Sequence, residues 1–176
     1  MIWAVVAGAV VLAAIVWAVV ARNRVGAKRS FAALGAREIA PGEQPRLSNM
    51  VEGLASDLGV APPLVGVLDD DEANAFVIGG RSPSIGFTTG LVAGYTRTEL
   101  EAVVAHCLVR VQGRGAIRPA GLAEDIASVT LTRYPPALAS ALRKASPRPE
   151  RAGVRWFVPE GGDPSTEQRA VEVLDL

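Results

Sequence analysis

The sequence predicts an α+β protein: a long apolar N-terminal helix, then a small domain in which helices pack on a short sheet. Three observations predict it. Residues 2–21 carry no charged or strongly polar side chain. Apolar residues recur at helical spacing in five later stretches, and four short runs rich in Val, Ile and Phe lie between Gly and Pro.

From Ile2 to Ala21 the apolar run, at about 1.5 Å per residue, spans roughly 30 Å, the thickness of a bilayer's hydrocarbon core. Trp3 and Trp17 sit towards its ends, where indole rings favour the interface. Arg22, Arg24, Lys28 and Arg29 follow it, and no basic residue precedes it. The pattern predicts a single-pass transmembrane helix over 1–22 with the remaining chain on the cytoplasmic side. The bilayer is therefore the first expected partner. A cleaved signal peptide is the competing reading, but it wants a charged start and a shorter apolar core, and Met1-Ile2-Trp3 brings no charge. Residues 23–45, with Gly, Pro and mixed charge, read as a juxtamembrane linker holding a short helix around Phe31 to Leu34. Residues 46–176 then form one domain.

The 18 basic and 18 acidic residues balance, which argues against nucleic acid as a partner because phosphate binding needs a local excess of Lys and Arg. Cys107 is the only cysteine, so no internal disulfide forms and a Cys-based zinc finger lacks its ligands. This fits a reducing compartment.

Within the domain, Leu47, Met50, Val51, Leu54 and Leu58 share one helical face, and Gly59 suits the left-handed stop. Pro62-Pro63 forces an extended chain into the strand Leu64 to Leu68, and Asp69 to Glu72 make an acidic turn. That turn lacks the ligand alternation and glycine of a calcium loop, so it reads as solvated. Ala75 to Ile78 and Ser84 to Thr88 read as two strands joined by a Gly/Ser/Pro loop. Thr98 and Glu101 have the spacing of a capping box opening a helix with the stripe Leu100, Val103, Val104, Cys107, Leu108 and Val111. Further helices are expected over Leu122 to Leu131, Pro135 to Lys144 and Pro164 to Leu174, the last capped by Asp163. Val154 to Val158 is a candidate strand.

Several segments, in chain order, resemble the HtpX-type membrane zinc metallopeptidases, relatives of the CAAX prenyl proteases. The helix Leu47 to Leu58 leads into Gly59-Val60-Ala61-Pro62-Pro63, similar to the family's G-V-P turn. Asp69 with Asn74-Ala75-Phe76 matches its D…N-A-F strand, and Thr88-Thr89-Gly90-Leu91 matches T-x-G-L. Glu99 to His106 matches the entry to its metal helix, and Ala123-Glu124-Asp125 is similar to E-x-x-A-D. Leu131 to Pro135, with Leu138, Ala141 and Leu142, resembles the next helix. Asp163-Pro164-Ser165-Thr166-Glu167-Gln168-Arg169 resembles the terminal H-P-x-x-x-x-R. The resemblance covers most of 47–176. It implies a zincin-like domain, zinc as cofactor and residence in a bacterial inner (cytoplasmic) membrane.

The site residues depart from that family's chemistry. Such a peptidase needs H-E-x-x-H, two imidazoles four residues apart on one helix face with a Glu that polarises water, and a third ligand from a later helix. Here the motif reads His106-Cys107-Leu108-Val109-Arg110, the third-ligand position falls on Gly121, and the terminal histidine position falls on Asp163. Two of three ligands and the base are replaced, so neither a catalytic residue nor a bound zinc is expected at His106, Cys107, Arg110, Gly121 or Asp125. A guanidinium stays charged at ordinary pH. At ~4 Å and an effective dielectric near 20 two unit charges interact by about 4 kcal/mol, and a divalent ion doubles it. The family also places a long segment between its metal helix and its third-ligand helix, where this chain has only Val111 to Ala120.

Each remaining residue has two readings. His106, the only histidine, is a residual ligand or an inherited position now hydrogen-bonded or partly exposed; one imidazole makes no zinc site. Cys107 is a nucleophile or a core thiol, and its place on the apolar stripe, about 100° from His106, favours the core. Arg110 either fills the metal cavity and pairs with Asp125 or Glu124, or extends into solvent. In the family the matching Asp supports a metal-binding histidine. Asn74, Ala75 and Phe76 lie on what the resemblance makes an edge strand, open to peptide pairing, or simply fill the core. The function expected is a membrane-anchored, catalytically inactive HtpX-like homologue that binds a protein or peptide partner. An active metallopeptidase with a rebuilt site around His106, Cys107, Glu124 or Asp125 is the alternative, and a decaying gene product a third. The oligomeric state is open.

Overall fold

The computed structural model describes residues 2–80, 83–113 and 121–176, with backbone alone at 2–10, 19–20 and 23–24. Helix α1 runs unbroken over Ile2–Leu34, and Gly35 then turns left-handed at φ 76° to end it. Strand β1, Ala36–Glu38, follows and pairs antiparallel with β2, Leu64–Leu68. The segment expected as a linker with one short helix is therefore the end of a long helix plus an edge strand. The signal was short. Ala27 and Phe31, one turn apart, are buried, and they form a single contact face among flanking charges. Among the described residues no helix is long and apolar enough to cross a membrane. Much of the anchor expectation rests on side chains at 2–10 and 19–20, which lie outside that set.

Helix α2, Pro45–Asp57, starts on proline and buries Leu47, Val51, Leu54 and Ala55, matching the predicted stripe. Strands β3, Ala75–Ile78, and β4, Ser84–Thr88, come next, with residues 81–82 of their loop outside the described residues. A short helix the sequence hid, α3 (Thr89–Gly94), opens where the Thr88 hydroxyl accepts from the Leu91 amide. Helix α4, Arg97–Gln112, opens two residues before the expected box: Thr96 and Glu99 form it, because Glu99 also takes Lys144 and Ser140. Helices α5, Leu122–Thr132, and α6, Pro135–Lys144, lie where expected. Strand β5 is Val154–Trp156, and α7 spans Thr166–Leu174, capped by Ser165 with Gln168 rather than by Asp163. Most of the loop between α4 and α5, residues 114–120, lies outside the described residues.

The five strands form one mixed sheet in the order β1-β2-β4-β3-β5, with β2 parallel to β4 and the other pairs antiparallel. Side chains alternate between two faces. Ala75, Val77, Ile85 and Phe87 join the main core with α2, α4, α6 and α7. Phe76, Ile78, Val154 and Trp156 point the other way and meet Phe31 and Ala36. The fold is thus helices on a short mixed sheet, α+β as predicted. The sheet is one strand wider than expected, and the end of α1 helps cover its second face.

Candidate functional site

Helix α4 carries His106, Cys107 and Arg110 into the interior because its capping box fixes where its first turn lies and its apolar stripe packs against α5 and α6. His106 is fully buried, and its ring stands edge-on to Phe157 at 5.1 Å between centroids. Its Nδ1 lies 2.9 Å from Asp125 Oδ1. Nδ1 faces that carboxylate, and Nε2 has no hydrogen-bond partner among the described residues. Burial lowers the imidazole's affinity for a proton, against the pull of Asp125. His106 is therefore wholly buried, not partly exposed.

Asp125 enters from the first turn of α5. Gly121 is the N-cap residue of that helix, and its amide donates to Glu124 Oε2 at 3.2 Å. The position that would supply a third ligand thus has no side chain and serves as a helix start. Asp125 is held by Arg169 of α7, which donates through Nε to Oδ2 at 2.7 Å and through Nη2 to Oδ1 at 2.8 Å. Arg169 is 1% exposed, donates a third bond to the Phe157 carbonyl at 3.0 Å, and lies over the Phe157 ring. Burial alone would raise the Asp125 carboxyl; Arg169 and then His106 overcome it and lower it to about 2.

The expected pairing of Arg110 with Asp125 or Glu124 does not form, since Asp125 is saturated by Arg169 and the Glu124 carboxylate caps α5. Arg110 instead donates through Nη1 to the Trp156 carbonyl at 3.1 Å, while its buried Nη2 has no partner among the described residues. Nor does it simply extend into solvent: it is partly buried, and burial lowers its pKa. Two arginines thus grip successive carbonyls, Trp156 and Phe157, of the segment that lies along β3. Cys107 points into the core, 1% exposed, and burial pushes its thiol up to about 12. It packs in the core as a small apolar residue.

The strand Asn74-Ala75-Phe76 is not an edge. On one side β3 pairs with β4; on the other, β5 pairs Trp156 with Phe76 and Arg155 with Val77, and the Phe157 amide donates to the Ala75 carbonyl. Asn74, fully buried, spends its amide on the fold: Nδ2 donates to Ser146 and Val158 carbonyls at 2.7 and 2.8 Å, and Oδ1 accepts from Ala75 and Val158 amides. Phe76 stacks edge-on with Phe31 and Trp156 and lies across Gly86, where any Cβ would strike its ring. The edge expected to take a peptide is taken by the chain's own β5. The acidic turn is also tied in: Asp70 takes Arg148 through its carboxylate and Thr89 through its backbone.

Sequence reasoning placed Arg169 in a motif but gave it no part in the site. Its signal was there: Arg169, Ala170 and Val173 share the buried face of α7, and an arginine in an apolar register asks for a buried carboxylate. The zinc ion that the resemblance implies does not fit these residues. His106 offers one nitrogen, the partner position is a guanidinium that cannot ligate, and the third position has no side chain. Among the described residues no three His, Cys, Asp or Glu side chains gather to hold a metal.

Comparison with known proteins agrees with the resemblance. Residues 41–130 match the family model for Peptidase family M48. The chain is 38% identical over 87 residues to a protease HtpX homolog of Thermodesulfovibrio yellowstonii, covering 48% of this chain and 30% of that one. It is 42% identical over 76 residues to the homolog of Acidiphilium cryptum, covering 42% and 26%, and 39% identical over 84 residues to that of Moorella thermoacetica, covering 46% and 28%. The match therefore spans under a third of the length of these relatives. The matched region holds the α2 helix, strands β2 to β4, the His106 helix and Asp125, and on it the chain belongs to peptidase family M48.

Proposed function

We propose that this chain is a catalytically inactive HtpX-like member of the family, anchored in a bacterial inner membrane by 1–22, with its domain on the cytoplasmic side acting by binding a protein partner. One observation carries the loss of activity: residue 110, which in an H-E-x-x-H helix would be the second histidine, is an arginine whose guanidinium is engaged on the Trp156 carbonyl. A cation fixed there opposes a divalent ion, and Cys107 in place of the general base is a buried, protonated thiol. The support for the anchor is the uncharged run 2–21 followed by Arg22, Arg24, Lys28 and Arg29.

Elemental analysis of the purified full-length protein, paired with casein cleavage, tests the first claim. Zinc far below one per chain and no cleavage above that of the His106→Ala variant are expected. About one zinc per chain, or cleavage that His106→Ala abolishes, refutes it. For the anchor, an alkaline-phosphatase fusion after Leu176 is expected to be inactive in cells, and an active periplasmic fusion reverses the orientation.

A further inference from the structure

The seating of α1 and the register of the sheet fix which end of the domain lies nearest the N-terminal apolar run. After the turn at Gly35 the chain doubles back, so α1 lies alongside β1: Lys28 Nζ meets Glu38 Oε2 at 2.8 Å, and Phe31 sits over Gly66 and against Phe76. Glu38, Gly66, Phe76 and Trp156 share one row across the strands. Towards the N-terminus of α1 the next inward row holds Leu64, Ile78 and Val154, and past it come the exposed residues Gly79-Gly80 and the exposed turn Arg151-Ala152-Gly153. At strand spacing these tips stand about 10–13 Å beyond the row of Phe76. At helical rise Arg22 stands about 13.5 Å beyond Phe31 in the same direction. The tips are thus close to level with Arg22, where the uncharged run 2–21 ends.

The two ends of the sheet differ in charge. At the near end Arg151 is exposed at the tip of its turn, while Glu38 and Glu150 are taken by Lys28 and Arg155. On α1, at about 100° per residue, Arg22 and Arg29 lie about 180° and 200° from Phe31, on the face turned away from the sheet, and both are exposed. Arg22, Arg29 and Arg151 have no acidic partner among the described residues. The acidic turn Asp69 to Glu72 follows β2 at the opposite end, roughly 20 Å from the basic tip and well past a Debye length of about 8 Å. A negatively charged surface thus attracts the near end without repelling the far one. We propose that this end of the sheet rests on the cytoplasmic surface of the bilayer, with Arg22, Arg29 and Arg151 bound to the phosphates of anionic phospholipids. The inference rests on the reading that 1–22 spans the membrane. It adds which end of the domain meets the bilayer and what chemistry it meets there.

Fluorescence quenching in vesicles tests it. The full-length chain with Cys107→Ala carries bimane on Ala152→Cys at the basic tip or on Asp71→Cys at the acidic end, and the vesicles contain lipid with a nitroxide on its headgroup. In phosphatidylcholine with about 30% phosphatidylglycerol, quenching is expected to be several-fold stronger at 152 than at 71. Quenching at 152 should fall towards its level in phosphatidylcholine alone when salt is raised to about 0.5 M, and equally in the variant Arg29→Gln/Arg151→Gln. Vesicle-bound protein quenched equally at the two positions overturns the placement alone. Quenching at 152 that ignores both phosphatidylglycerol and salt overturns the anionic headgroup as the ligand. Protein that does not float with the vesicles overturns the anchor and this inference together.

Discussion

Breaking the Arg169–Asp125 pair is expected to be among the most damaging single changes in the domain. Both side chains are at most 2% exposed, and the pair is bidentate at 2.7 and 2.8 Å. Replacing Arg169 by Met keeps much of its volume but leaves the Asp125 carboxylate with only the His106 ring, and the Phe157 carbonyl loses its donor. Removing one member of a buried ion pair costs about 3–5 kcal/mol, and an unpaired buried carbonyl adds about 1. Against a whole-domain stability of about 5–15 kcal/mol, Arg169→Met should be near the limit of folding. Urea denaturation of the full-length protein followed by Trp fluorescence measures it. The double variant Arg169→Met/Asp125→Leu removes the stranded charge and should recover at least half of the loss, since apolar replacements of buried pairs are often neutral. Arg110→Met, which breaks no ion pair, should stay within about 1.5 kcal/mol of wild type. An Arg169→Met cost below about 1 kcal/mol, or a double variant as unstable as the sum of the singles, would refute the role given to the pair.

Acid should unfold the domain in two steps whose signs agree. Burial depresses the folded His106, so the unfolded chain binds more protons below its ordinary value near 6.5 and stability falls as pH drops through that range. Asp125 adds stability that is complete above about 4 and lost as pH falls towards about 2. Urea midpoints between pH 7 and 4 should therefore decline in wild type and flatten in His106→Gln; a wild-type midpoint constant over that range contradicts the burial of a neutral imidazole. Cys107 should resist iodoacetamide at pH 8 in the native protein and react fully in urea, read by intact mass, and rapid native labelling would contradict a core thiol. Gly66→Ala puts a Cβ 2.7 Å from Phe31 Cζ, so it should cost about 1–3 kcal/mol and raise hydrogen exchange over 27–34; unchanged exchange there would mean α1 does not rest on the sheet.

The sequence was most informative where one residue type answered one local need. The stripe of α2, the proline start of α6 and the strands bounded by Pro62-Pro63 and Gly79-Gly80 followed from periodicity and backbone chemistry alone. It was least informative where a partner lies far along the chain. Thr96 rather than Thr98 caps α4 because Glu99 is also fixed by Lys144 and Ser140, some forty residues later. Strand β1, three residues long, has no pattern of its own and exists only because β2 offers it an edge. In the site, the motif positions singled out His106, Arg110 and Asp125, of which His106 and Asp125 meet at 2.9 Å, yet charge alone could not say which arginine takes Asp125. That choice depends on α7 folding back onto α5. The same long-range closure turned Asn74-Ala75-Phe76 from an expected edge into an interior strand.

The last turns of α1 have a mechanical consequence. Phe31 is wedged between Gly66 and Phe76, and Lys28 reaches across to Glu38 on the adjoining strand. A helix that ends inside a core in this way is a handle and not a rope. Rotation or tilt applied to its free length is delivered to the sheet as torque, with no swivel between them. Whatever grips the N-terminal turns therefore also aims the domain, and a hinge placed at Gly26 would let it swing without altering any residue of the site.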